Sequence, residues 1–148
     1  MPSTFLSLNY HIVFSTKDRA PTISAEWANR LHEYLGGTMK GLGGVSLQVG
    51  GIEDHVHLLI GLKATHCLAD VMRELKRSSS IWVHETFGDD RFFWQEGYAA
   101  FTVSPSACVD VRRYISNQRE HHQRRSFREE LVELLQRAGI EYEERYLD

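Results

Sequence analysis

Cysteine is nearly absent: Cys67 and Cys108 are the only two in 148 residues. Two thiols build neither a disulfide framework nor a cysteine-rich zinc site, which points to a reducing compartment, the cytoplasm. Proline occurs three times, and no Pro-rich linker, repeat or low-complexity tract interrupts the chain, so residues 1–148 are expected to form one domain. No apolar run approaches the roughly 18 residues that span a bilayer. Met1-Pro2-Ser3-Thr4 lacks the charged and apolar regions of a signal peptide.

A surplus of positive charge is missing too, with a formal net charge of −3, but the charge is unevenly spread. From Glu129 to Asp148, seven acidic residues stand against Arg137 and Arg145, a net of −5, which leaves +2 for residues 1–128. Within that part Arg112, Arg113, Arg119, Arg124, Arg125 and Arg128 cluster in one stretch, and Lys76-Arg77 form a second pair. These are either solvated helix faces or the footprint of an anionic partner.

Period and punctuation predict the elements. Residues 6–15 alternate, with Leu6, Leu8, Tyr10, Ile12 and Phe14 on one side of a strand. Ile23-Ser24 reads as a hydrophobic residue before an N-cap, opening a helix through Trp27, Leu31, Tyr34, Leu35 and Met39 that ends in Gly41, Gly43 and Gly44. Strands follow near 45–52 and 55–62, turning at Glu53-Asp54. A helix after Thr65 buries Leu68, Val71, Met72, Leu75, Trp82 and Val83; a charged, aromatic loop covers 87–97; and Tyr98–Val103 is a strand. Ser104-Pro105 opens a helix over about 105–122, and an acidic helix and tail occupy about 127–148. This βαββαβ order with additional C-terminal helices is that of a ferredoxin-like (RRM-like) α+β fold, an antiparallel sheet with helices on one face.

The chemistry concentrates in two stretches. In Asp54-His55-Val56-His57-Leu58-Leu59-Ile60, alternation assigns Val56, Leu58 and Ile60 to the core face, so His55 and His57 project together from the other. Two imidazoles so placed are either paired ligands for one divalent cation or half-exposed polar residues. In Arg112-Arg113-Tyr114-Ile115-Ser116-Asn117-Gln118, a helix stacks Tyr114, Gln118 and then His122 on one stripe. A helical tyrosine is ordinarily a core-edge residue. Its neighbours here are arginines and a glutamine with an oxygen to offer. Asp54 is either a ligand-orienting carboxylate or a turn residue. His11, also on the face away from the core, is either near the site or a plain hydrogen-bonded histidine, and His121 and His122 either assist proton transfer or contact phosphate or form a solvated helix end, the plainer reading being the default in each case. Lys76, Arg77, Arg112 and Arg113 are candidates for contacts to a phosphate backbone. Phe93 and Trp94 either stack on an unpaired base or pack beneath the loop.

Taken in order, Tyr10-His11-Ile12-Val13-Phe14-Ser15-Thr16-Lys17, Gly51-Ile52-Glu53-Asp54-His55-Val56-His57-Leu58-Leu59-Ile60, Leu75-Lys76-Arg77-Ser78-Ser79-Ser80, Trp94-Gln95-Glu96-Gly97-Tyr98, Phe101-Thr102-Val103-Ser104 and Tyr114-Ile115-Ser116-Asn117-Gln118 resemble the single-tyrosine HUH transposases of the insertion-sequence 200/605 family, U being a hydrophobic residue. The resemblance implies His55, His57 and Gln118 as ligands of a divalent ion, Mg²⁺ or Mn²⁺. It implies Tyr114 as the nucleophile toward single-stranded DNA with hairpin ends, and a homodimer whose tyrosine helices complete the partner's site, acting in the cytoplasm at the nucleoid. Two alternatives stay beside it: a domesticated hairpin-binding protein that no longer cuts, and a two-histidine metal hydrolase of small phosphoesters.

Overall fold

The computed structural model describes residues 3–122 and 125–147; Arg124 of the basic cluster, Asp148 of the acidic tail and the Met1-Pro2 start lie outside them. Four strands, β1 (Asn9–Ser15), β2 (Val45–Ile52), β3 (His55–Gly61) and β4 (Ala99–Thr102), form one antiparallel sheet in the order β2-β3-β1-β4. Helices α1 (Ala28–Gly41) and α2 (Leu68–Phe87) connect them in the expected βαββαβ sequence. Ile12 and Phe14 pair with Leu58 and Val56 on the central strands. With Ile60 they form an apolar row under Leu31, Leu35 and Met39 of α1 and Val71, Met72, Leu75 and Val83 of α2. Each such side chain, fully withdrawn from water, stabilises the fold by roughly 1.5–3 kcal/mol.

The other face is not open. Helices α3 (Cys108–Ser116), α4 (Gln118–His121) and α5 (Phe127–Arg137) bring side chains against it, and His55 and His57 are completely buried. The expected continuous helix over 105–122 is in fact a 3-10 turn at Pro105–Ala107, then α3, then α4. The break falls at Asn117, whose φ of −104° and ψ of 23° leave the helical range. Gly50 allows α3 its close approach to β2: a Cβ there would lie 2.5 Å from the Ile115 carbonyl oxygen. Helix α1 begins three residues later than expected, because Ser24 caps a turn, accepting from the Glu26 N–H at 3.2 Å, rather than the helix itself. Among the described residues no helix is long and apolar enough to cross a membrane.

One buried group on α1 makes stability pH-dependent. His32 Nε2 is buried without a hydrogen-bond partner, and burial pushes its pKa from 6.5 down to about 4. The folded state therefore holds the ring neutral while the unfolded chain protonates it below about pH 6.5. Its contribution is full above 6.5 and is lost as pH falls toward 4. Between those values the wild-type protein is expected to lose about 1–3 kcal/mol more than His32→Leu, read from urea midpoints at each pH. Parallel losses in the two proteins would refute the assignment.

Candidate active site

The buried face of β3 and β1 carries a cluster of imidazoles, each held from behind. Asp54 Oδ1, at the turn before β3, lies 2.7 Å from His55 Nδ1. His11 Nε2, from β1, lies 2.8 Å from His57 Nδ1. The Arg125 carbonyl oxygen accepts from His122 Nδ1 at 2.9 Å. With the three Nδ1 atoms so engaged, the three Nε2 atoms turn toward one point. There His55 Nε2 lies 3.0 Å and His122 Nε2 3.1 Å from Gln118 Oε1. The Gln118 amide donates back to the Tyr114 carbonyl at 3.5 Å, which aims its oxygen at the histidines. Partners behind a ligand fix its rotamer and tautomer, and that is their arrangement here.

The centre of the cluster is a carboxylate that the sequence reading missed. Glu130 on α5 is fully buried. Its Oε1 lies 2.9 Å from His57 Nε2, 3.2 Å from His122 Nε2 and 3.3 Å from His55 Nε2, and its Oε2 accepts the Tyr114 hydroxyl. A signal for it existed. Phe127, Glu130, Leu131, Leu134 and Leu135 follow the i, i+3, i+4, i+7, i+8 spacing of a buried helix stripe, so Glu130 is a charge in an apolar row.

Electrostatics follow from this crowding. Burial would drive the His55 pKa down, but hydrogen bonds to Asp54 and Glu130 outweigh it and raise it to about 9. Burial lowers His57 to about 4 despite the same carboxylate, and lowers His11 to about 3, helped by repulsion from His57. Burial alone would raise the Glu130 carboxyl, yet the hydrogen bonds from His122, His55 and His57 hold it far below the usual range. Tyr114 is pushed above its ordinary value by burial and by its bond to Glu130. In this state the phenol keeps its proton.

The donor chemistry suits a divalent cation. Among the described residues, ligand atoms of His55, His122 and Glu130 lie within 4.8 Å of one another, with Gln118 Oε1 and His57 Nε2 beside them. Imidazole nitrogen with amide and carboxylate oxygen is a set that transition ions accept readily.

The other expected site residues are placed as follows. His11 is hydrogen-bonded as read, but inside the cluster. His122 is no solvated helix end, since its side chain is only 5% exposed, and the His121 ring packs on Tyr114 with centroids 4.6 Å apart. Lys76 Nζ donates to the Gln95 and Gly97 carbonyls at 2.6 and 2.7 Å and ties down the 95–97 loop. Arg77 bonds Glu74 at 3.0 Å and Arg113 lies 3.8 Å from Asp110, both exposed, and Arg112 is exposed. Trp94 packs under the loop, on Phe14 and Phe92, and donates to Ser79 Oγ at 2.9 Å, whereas Phe93 is 49% exposed. Tyr114 and Gln118 approach the histidines of their own chain.

Comparison with known proteins places this fold among the transposases. The sequence matches the profile of the family "Transposase IS200 like" over residues 4–118, and the chain belongs to that family. The transposases for insertion sequence element IS200 of Salmonella typhimurium LT2 and of Salmonella typhi are 29% identical over 117 residues, covering 75% of this chain and 76% of theirs. A crystal structure from Deinococcus radiodurans R1, described as a transposase, superposes with a TM-score of 0.66 at 26% identity, over 80% of this chain and 95% of that one. A REP-associated tyrosine transposase bound to a REP hairpin shares the fold, with a TM-score of 0.61 at 11% identity over 82% of this chain and 73% of that one. The family match stops at Gln118, so His122 and Glu130 lie beyond it.

Proposed function

We propose that this transposase cuts and rejoins single-stranded DNA at hairpin-bearing ends through a 5′-phosphotyrosine on Tyr114, with a divalent ion held by His55, His57 and Gln118. The observation that carries the proposal is the meeting of three inward-facing Nε2 atoms, the Gln118 oxygen and the Tyr114 hydroxyl in one buried cluster. A bound Mg²⁺ or Mn²⁺ supplies charge that offsets the negative charge developing on a phosphodiester's oxygens. For His57 to serve as a ligand its Nε2 must carry the lone pair, so the ring's proton moves to Nδ1, where His11 Nε2 receives it. Asp54 plays the same part behind His55.

The Tyr114 oxygen bonds to phosphorus, the bond from phosphorus to the 3′ oxygen breaks, and that oxygen leaves as a 3′-hydroxyl, its proton balancing the one lost by the phenol. One phosphoester replaces another, so a second 3′-hydroxyl reverses the step without ATP. Exposed Arg112, Arg113 and Arg77 are suited to steering a polyanion. The hairpin carried by the REP-associated neighbour supports a folded single strand as the substrate, and the family resemblance supports a homodimer.

Single-stranded DNA copied from the flanks of the gene, hairpin included, is expected to yield a covalent protein–DNA adduct on denaturing gels with Mn²⁺ or Mg²⁺. The same sequence as a perfect duplex is expected to yield none. Equal adduct from both forms would overturn the single-strand assignment. Tight hairpin binding with no adduct would make the protein a binder that does not cut.

A further inference from the structure

His122 is held in the same way as His55. Its amide closes α4 on the Gln118 carbonyl at 3.0 Å, which stacks the ring one turn beyond the Gln118 side chain. A backbone carbonyl can only accept, so the bond from His122 Nδ1 to the Arg125 carbonyl at 2.9 Å places the ring's proton on Nδ1 and the lone pair on Nε2. The Asp54 carboxylate, 2.7 Å from His55 Nδ1, does the same for His55. The two rings meet edge to face with centroids 4.6 Å apart, and their Nε2 atoms face the same two oxygens. Gln118 Oε1 lies 3.0 Å from His55 Nε2 and 3.1 Å from His122 Nε2, and Glu130 Oε1 lies 3.3 and 3.2 Å from them. Two nitrogens and two oxygens thus turn lone pairs toward one another out of reach of water, and a cation among them reconciles the four.

The spacing agrees. Donor atoms about 2.1 Å from a shared ion, at right angles around it, stand about 3 Å apart. Those distances would also suit hydrogen bonds, so the partners behind the rings carry the argument. The group whose ligand atoms all lie within 4.8 Å of one another is His55, His122 and Glu130. His57 Nε2 approaches it at 2.9 Å from Glu130 Oε1, but behind His57 stands a second imidazole, His11, which can donate or accept and so fixes no tautomer. By wiring, His122 is the better match to His55.

We propose that His122 is a protein ligand of the divalent ion, so that the centre offers three imidazoles and the Gln118 oxygen and favours a first-row transition ion over Mg²⁺. The proposal rests on the reading of this cluster as the metal centre for strand transfer. The added ligand lies outside the residues matched by the family profile, which end at Gln118. The competing arrangement is a doubly protonated His122 that serves only as a counter-charge to Glu130.

The test uses metal-stripped full-length protein titrated with MnCl₂ or MgCl₂ by calorimetry. Wild type is expected to bind Mn²⁺ more tightly than Mg²⁺. His122→Ala is expected to weaken Mn²⁺ binding at least roughly 100-fold, since even the partners behind ligands are worth about 10–100-fold. A second measurement on wild type stands if that variant folds poorly. Long-range proton–nitrogen spectra of the histidine rings, with Zn²⁺ as a diamagnetic probe, are expected to show Nε2 of His122 shifting together with Nε2 of His55 while both Nδ1 protons stay. Mn²⁺ affinity of His122→Ala within about threefold of wild type, or a His122 Nε2 unmoved by Zn²⁺ when His55 Nε2 shifts, would overturn the assignment. Wild type that binds neither Mn²⁺ nor Zn²⁺ would overturn the metal centre and this ligand with it. If His122 binds the metal but flank-derived DNA gives no adduct, the ligand stands and the strand-transfer reading fails.

Discussion

Tyr114→Phe is expected to abolish the covalent protein–DNA adduct outright while leaving the fold and hairpin binding in place. The substitution removes one oxygen and keeps the ring, so its edge contacts with His11 and His57 and its packing on His121 persist. The structure adds a cost: Glu130 loses one hydrogen bond. Three imidazole nitrogens still surround that carboxylate, and losing a hydrogen bond to a charged group is worth about 1.5–3 kcal/mol. A small fall in melting temperature with complete loss of the adduct is the expected pattern. An adduct formed by Tyr114→Phe would move the nucleophile elsewhere and sink the mechanism. Mixing this variant with a His55→Ala/His57→Ala protein reads the arrangement of the sites. Recovered adduct means helices exchanged between subunits, and none means the same-chain arrangement of the structure.

Loss of the histidine pair ranks second. His57→Ala or His55→Ala is expected to lower cleavage at least roughly 100-fold, and chelation of divalent ions to do the same to wild type. On sequence grounds both side chains face away from the core row and their removal spares the fold. The structure revises that expectation, because both are completely buried against Glu130. Taking away one partner leaves a buried carboxylate short of compensation, which costs about 3–5 kcal/mol when a buried pair is broken outright. His57→Gln, which keeps a polar group near Glu130, is therefore the better probe, with Mn²⁺ affinity by calorimetry alongside cleavage. Full cleavage by His57→Gln in chelator-treated buffer would remove His57 from the metal site.

Strand and helix order was legible because each element carries its own period. Alternation in β1 and β3 and the 3.6-residue spacing in α2 depend only on neighbours along the chain. The same alternation put His55 and His57 on one face, and helical spacing put Tyr114 near Gln118 even though the helix breaks at Asn117. Lys76 shows what local pattern leaves out: a lysine beside an arginine reads as a phosphate contact, while in the fold a loop nineteen residues away places a carbonyl within its reach.

The sequence by itself determined the elements, their order, the core face of the sheet and the spacing that pairs two imidazoles with a helical tyrosine and glutamine, since all of these are set by local periodicity. Tertiary structure alone decided what lies over that pair. His11 comes from β1 and Glu130 from α5, segments far apart in the chain, and they join the stripe of Tyr114, Gln118 and His122 that helical spacing already indicated. Which side chains meet in a buried cluster depends on how helices dock across a sheet, and docking depends on long-range packing that no local pattern encodes.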